Sequence, residues 1–321
     1  MLSGSLDLVT QSRVPLRNVS LYIGLLGVLT MGPSLLTLFA PGVDVVAQPP
    51  TGINGWTVLA WTISFLAIVA IGIDATIVGI AILGGATAGR PLTFDEALRR
   101  SRQVFWRLLR ATFAVGVVAY IVTQVLQLFL AGIFGEATDA APVGAALLAA
   151  VITAPFVYVP VGVVIGDVPA MESIRRSIRL ARARFRLAVV TSLFAVVAQF
   201  LLVFAASAGI DLVLRALEPF RSELETLDTS NAGGFALVAA AAIIALFAYW
   251  TLSFTVGALT AAPQIVAFLG LTGFSSGLDG AREAAEGEPA RDRPARISRP
   301  MAVGAVVSAF AALLAIVSSQ G

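Results

Sequence analysis

One carboxylate stands out because of where it lies. Asp74, in Gly72-Ile-Asp-Ala-Thr76, is the only charged residue between positions 56 and 89. A carboxylate in the middle of a hydrocarbon-spanning helix costs about 2.5–3.5 kcal/mol, so it must turn towards protein. There it can hold a proton or a cation, or tie helices together through hydrogen bonds. The hydroxyls and amides expected to meet it are Thr76, Gln124, Gln127, Tyr158 and Gln199. Asp74, Gln124 and Tyr158 form the candidate intramembrane polar site. The second chemistry is that of arginine. Arg99, Arg100, Arg102, Arg107 and Arg110 crowd one segment, and Arg175, Arg176, Arg179, Arg182, Arg184 and Arg186 crowd another. A guanidinium is a planar fork that matches phosphate oxygens. Arg99, Arg100, Arg107, Arg175, Arg176 and Arg179 are therefore candidate contacts for a lipid phosphate.

Much other chemistry is excluded. The chain has no His, no Cys and no Lys, so all 21 basic residues are arginine. No disulfide, thiolate metal site, cysteine nucleophile, Schiff base, P-loop or Ser-His-Asp triad can be built. Gly273-Phe-Ser-Ser-Gly277 matches the nucleophile-elbow pattern by letter, but that motif needs a histidine and a strand-turn-helix setting. No catalytic residue, metal site, cofactor or nucleic-acid partner is expected.

The elements that must position these residues are membrane spans. Of the 321 residues, 58% are hydrophobic and 12% charged, against about 25% charged in soluble domains. Long uncharged runs, such as 111–135 and 233–271, exceed the roughly 20 residues that cross a bilayer core. Seven spans are expected, near 19–40, 57–86, 108–134, 143–165, 187–212, 235–262 and 301–318. The sixth is expected to break near Pro263, and the fourth to bend at Pro155 and Pro160. Three regions follow: a six-span membrane domain over 1–271, a flexible charged linker over 272–300, and a C-terminal seventh span within 301–321. With the N-terminus inside, every arginine except Arg215 and Arg221 falls on the cytoplasmic side, as the positive-inside rule requires. The expectation is a multi-pass protein of a prokaryotic cytoplasmic membrane, with its N-terminus inside and its C-terminus outside.

The two arginine-rich segments resemble each other. Glu96-Ala-Leu-Arg-Arg-Ser101 and Glu172-Ser-Ile-Arg-Arg-Ser177 share the pattern Glu-x-(Leu/Ile)-Arg-Arg-Ser. Each follows an inward-going span and precedes an outward-going one, which makes a parallel internal repeat. Each also reads as an amphipathic helix. Phe94, Ala97, Leu98, Ser101, Val104, Phe105 and Leu108 share one face of the first. Met171, Ile174, Ile178, Ala181 and Phe185 share one face of the second. Thr93 and Glu96 have capping-box spacing. A helix with arginines on one face and bulky apolar groups on the other suits the membrane interface.

These segments carry a family resemblance. Phe94-Asp-Glu-Ala-Leu-Arg-Arg-Ser101 with Phe105-Trp-Arg107, and Gly166-Asp-Val-Pro-Ala-Met-Glu-Ser-Ile-Arg-Arg-Ser177 with Phe185, resemble the membrane domain fused to some glycerophosphodiester phosphodiesterases and its stand-alone relatives. The resemblance covers roughly residues 10–270. It implies a membrane architecture of about six spans and brings no activity with it, because the catalytic barrel is absent. The expected fold is all-α, a polytopic transmembrane helix bundle of six to seven spans with two amphipathic cytoplasmic helices. Three functions compete: a non-catalytic membrane protein engaging anionic lipid or a membrane-protein partner through its arginine faces, a small-molecule or ion permease using Asp74, and a membrane enzyme acting on lipid.

Overall fold

The computed structural model describes residues 2–36, 55–135, 140–217 and 232–273, with the single positions Leu278, Val306, Val307, Ala309 and Phe310. The described residues are helical, with no strand among them. In chain order the helices are α1 (Leu2–Gln11), α2 (Arg13–Leu36), α3 (Gly55–Thr87), α4 (Phe94–Phe134), α5 (Ala140–Thr153), a 3-10 turn (Ala154–Phe156), α6 (Val159–Val164), α7 (Ala170–Ala183), α8 (Phe185–Leu217) and α9 (Ala232–Thr272). Six segments are long and apolar enough to cross a membrane: Arg13–Gly32, Val58–Thr87, Phe94–Phe134, Ala141–Val164, Phe185–Gly209 and Ala240–Thr272. The protein is thus an all-helical, multi-pass membrane protein. Most of the charged linker 272–300 and of the expected seventh span 301–318 lies outside the described residues.

The chain divides into two compact units. The first comprises Met1–Val19, Ile73–Leu202 and Thr255–Pro294, and the second Ser20–Gly72, Val203–Phe254 and Ala295–Gly321. In the second unit, glycines let helices approach closely. A Cβ on Gly27 would lie 2.2 Å from the Trp250 ring, and one on Gly24 would lie 2.6 Å from the Thr251 hydroxyl. Small residues at such contacts are how helices pack in lipid, where no hydrophobic drive brings them together.

The first unit holds both arginine segments. Its α3 ends where Gly89 takes a left-handed φ of 68°. Gly89 N–H donates to Ala86 O (3.2 Å) and Arg90 N–H to Gly85 O (2.8 Å), the paired bonds of a Schellman C-cap. Helix α4 starts at the expected capping box. Glu96 N–H donates to Thr93 Oγ1 (3.4 Å), and Thr93 N–H donates to Glu96 Oε2 (2.7 Å). The helix then runs unbroken for 41 residues, about 62 Å at 1.5 Å per residue. That is about twice a bilayer core of roughly 30 Å.

Three expectations are corrected here. The first amphipathic segment is not a separate interfacial helix; it is the beginning of α4. Its apolar face packs against protein: Ala97, Leu98, Ser101, Val104 and Leu108 are buried, whereas beyond Ala111 only Leu130 is. The fourth span is not one bent helix. Pro155 and Pro160 divide it into α5, the 3-10 turn and α6, because proline removes a backbone donor and clashes with the preceding turn. The sixth span does not break at Pro263. Helix α9 continues through it to Thr272, held by the buried Ala261, Ala262, Ile265 and Phe268. Freed groups at a proline are tolerated in a membrane helix when neighbours compensate.

Candidate functional site

The polar residues of the first unit fall into a buried centre and an exposed arginine surface. In the centre, Asp74 is 3% exposed, and its Oδ1 accepts a hydrogen bond from the Ser101 hydroxyl. Asp74 therefore faces protein, as its depth requires, but its partner is none of those expected. The candidate trio does not assemble. Gln124 is exposed and lies roughly 35 Å further along α4 than Ser101. Tyr158 is buried, with its hydroxyl beside Thr191. Ser101 lies on the apolar face of its segment, outside the spans in which partners for Asp74 were expected. Through Ser101, the start of α4 reaches Asp74 of α3.

Arg100 is the second member of the centre, and it corrects the sequence-based assignment. It is 2% exposed, so it is not disposed towards a lipid headgroup. Its Nε donates to Val164 O (2.9 Å), Nη2 to Asp167 Oδ1 (2.8 Å) and, at 3.5 Å, to Val163 O, and Nη1 to Gln103 Oε1 (3.1 Å). Carbonyls at a helix C-terminus lack intrahelical donors and carry the negative end of its dipole. Arg100 thus caps the C-terminal end of α6. Asp167 is the only described non-glycine residue with positive φ, at 50°, a conformation that Asp tolerates better than most. Its Oδ1 also accepts from Arg107 at 3.0 Å. Asp167 gathers two arginines of α4 onto the turn before α7.

Helix α7 staples the broken span. Ser173, Ser177 and Ala181 are buried in one row, with the i, i+4 spacing of a single helix face. The Ser177 hydroxyl donates to Pro155 O (2.7 Å) and accepts from Tyr158 N–H (3.1 Å), and the Ser173 hydroxyl donates to Val159 O (2.8 Å). The backbone groups released at the prolines find hydroxyls here. Gly162 allows the approach, since a Cβ on it would stand 2.5 Å from Ser173 Oγ. Sequence reasoning missed Asp167, Ser173 and Ser177. The signal was available in the four-residue spacing of Ser173, Ser177 and Ala181.

With its serine row turned inward, α7 turns its arginines out. Arg175, Arg179, Arg182, Arg184 and Arg186 are exposed, and Arg176 is half-buried. Arg179 pairs with Glu172 at 2.8 Å, the only acid between Asp167 and Asp211. Of the α4 candidates, Arg99 is half-buried and Arg107 is exposed but bound to Asp167. Where α7 meets α8, Arg184 leaves the helical conformation (φ −139°, ψ 57°). A groove of about 610 Å³ opens at this elbow, between Arg184–Leu187 and the C-terminal end of α9 at Val266, Ala267, Gly270 and Leu271. A second hollow of about 460 Å³ is lined by Arg176, Arg179, Leu180 and Thr272. No cluster of metal-ligating side chains occurs among the described residues. The chain matches no protein-family model, no curated protein and no solved structure.

Proposed function

We propose that this is a non-catalytic membrane protein that engages anionic phospholipid at the cytoplasmic face through the arginines of α7 and the α7–α8 elbow. The observation that carries this reading is the division of α7 into two faces. Its serine row is committed to the bundle, and five of the six arginines from Arg175 to Arg186 are exposed around a single acid. Each cation near an anionic leaflet contributes about 1 kcal/mol before screening, and a guanidinium presents paired donors to phosphate oxygens. The charge distribution along the chain supports a cytoplasmic location for this face. The occlusion of Asp74 behind Ser101 weighs against a permeation pathway through that carboxylate.

The test is lipid retention. Protein extracted from membranes containing phosphatidylglycerol should keep more of it in native mass spectrometry than of phosphatidylcholine. Replacing Arg175, Arg182 and Arg186 together by Gln should abolish the preference and leave insertion and helicity intact. Equal retention of the two lipids by the unaltered protein sinks the reading.

A further inference from the structure

Arginines at the inner ends of membrane spans attract anionic lipid in general, but the elbow groove is shaped for more than that. Its two walls differ in chemistry. One is the start of α8, where Arg184 and Arg186 flank Phe185 and both arginines are exposed. The other belongs to α9, where Val266, Ala267 and Leu271 offer aliphatic surface and no charge. The groove also sits at a defined depth. The membrane-crossing segment Phe185–Gly209 starts at one wall, and the segment Ala240–Thr272 ends at the other. This is the level at which a headgroup gives way to acyl chain. Helix α8 begins at Phe185, so the positive end of its dipole adds to the two guanidiniums. The volume of about 610 Å³ is within the usual 300–1,000 Å³ of a small-molecule site. That is space for a headgroup and the first carbons of a chain, with the remainder lying in the bilayer.

The geometry points to a discrete binding site for one anionic phospholipid in this groove: the phosphodiester lies between Arg184 and Arg186, and an acyl chain runs over Val266 and Leu271. This rests on the proposed function and adds to it a single occupied place and an orientation. The aliphatic wall selects a lipid over a free phosphate ester, which has nothing to set against it. Gly270 offers a way to close the groove without touching any charge. A Cβ at Gly270 meets no atom within 4 Å, so a larger side chain there extends into open groove.

The experiment uses a phosphatidylglycerol with a diazirine near the glycerol end of one acyl chain, in nanodiscs, with adducts mapped by peptide mass spectrometry. Adducts should concentrate on residues 185–187 and 266–271. Arg184→Gln with Arg186→Gln should reduce them about tenfold or more, the scale set by two headgroup cations, and Gly270→Phe should separately reduce them by filling the groove. Arg110→Gln, which removes an exposed arginine away from the groove, should leave them unchanged. Free glycerol phosphate in excess should not compete. The proposed function and this site fail differently. If phosphatidylcholine carrying the same label reacts as well as phosphatidylglycerol, the anionic preference is wrong. If that preference holds but adducts spread along the exposed half of α4, or survive Gly270→Phe undiminished, the discrete site is wrong. Competition by glycerol phosphate would reassign the groove to a soluble ligand.

Discussion

Arg100 gives the sharpest test of the buried centre, because its burial overturns what its neighbourhood in the sequence suggests. Consider Arg100→Met, which keeps an unbranched apolar stem and removes every donor. The Val164 carbonyl, on a fully buried residue, loses its 2.9 Å donor. An acceptor left unsatisfied in that setting costs about 1–3 kcal/mol. The Val163 contact is long, at 3.5 Å, and adds little. Asp167 loses one ion pair, but its side chain is 45% exposed and keeps Arg107. Screening limits that loss to roughly 0–1 kcal/mol. Against these, the variant no longer buries a guanidinium, and removing a buried charge can be favourable in itself. The net expectation is a loss of about 1–3 kcal/mol. At roughly 2–4 °C per kcal/mol for domains of 150–250 residues, the melting temperature should fall by about 2–12 °C. Thermal unfolding in detergent, followed by tryptophan fluorescence, reads this directly. Arg100→Lys should fall in between, since an ammonium cannot reach four acceptors at once. Arg110→Gln, at an exposed position, should stay within about 0.5 kcal/mol of the unaltered protein. Retention of phosphatidylglycerol by Arg100→Met should be unchanged. A variant that melts normally but loses that lipid would refute the reasoning, and Arg100 would be a headgroup ligand after all.

Ser177→Ala removes the donor to Pro155 O and the acceptor of Tyr158 N–H, so it should cost about 1–3 kcal/mol in the same melt and more than Ser173→Ala, which frees one carbonyl. Ser101→Ala leaves the Asp74 carboxylate buried without its hydroxyl donor and should destabilise by a similar ~1–3 kcal/mol; adding Asp74→Asn should recover part of the loss, and a double-mutant cycle with no coupling between the two would disprove the contact. Ser298→Cys, introduced into this cysteine-free chain, should react with an impermeant thiol reagent in inverted vesicles and not in intact cells, because five arginines lie between Arg282 and Arg299; labelling from outside would reverse the orientation.

The helices and their ends were legible because their signals are local. Hydropathy places the six spans found among the described residues, with the expected seventh outside them, and the spacing of Thr93 and Glu96 starts α4 where the structure starts it. The buried centre was less legible because it depends on which face of a helix meets protein. Ala97, Ser101, Val104 and Leu108 trace the buried stripe of α4, and Arg100 lies three residues after the first and four before the third. By helical geometry that puts Arg100 on the stripe. The competing expectation, that an arginine at the inner end of a span faces water or lipid, hid it. Asp74 faces protein as expected, but its hydroxyl partner differs from those expected. Those lay within spans, whereas Ser101 sits in the first turns of α4, a helix longer than the bilayer is thick.

The two Arg-Arg-Ser segments end up doing different work, and one residue accounts for the difference. Successive residues on a helix are turned by about 100°, so a triplet presents three directions. In both segments the serine points inward, Ser101 to Asp74 and Ser177 to the break at Pro155. The second arginine then lies at the edge of the buried face, and its fate depends on what it meets there. Arg100 meets the end of α6 and the carboxylate of Asp167, and is buried with them. Arg176 stays half-exposed at the rim of a hollow it shares with Arg179. An acid placed at the α6–α7 turn therefore converts one surface cation into a structural latch. The second segment keeps its cations on the surface. On that physical ground the proposed lipid contacts fall to α7 and the elbow rather than being shared equally with α4. Asp167→Asn tests the assignment: it should lower the melting temperature by weakening the latch and leave the phosphatidylglycerol preference of the elbow unchanged.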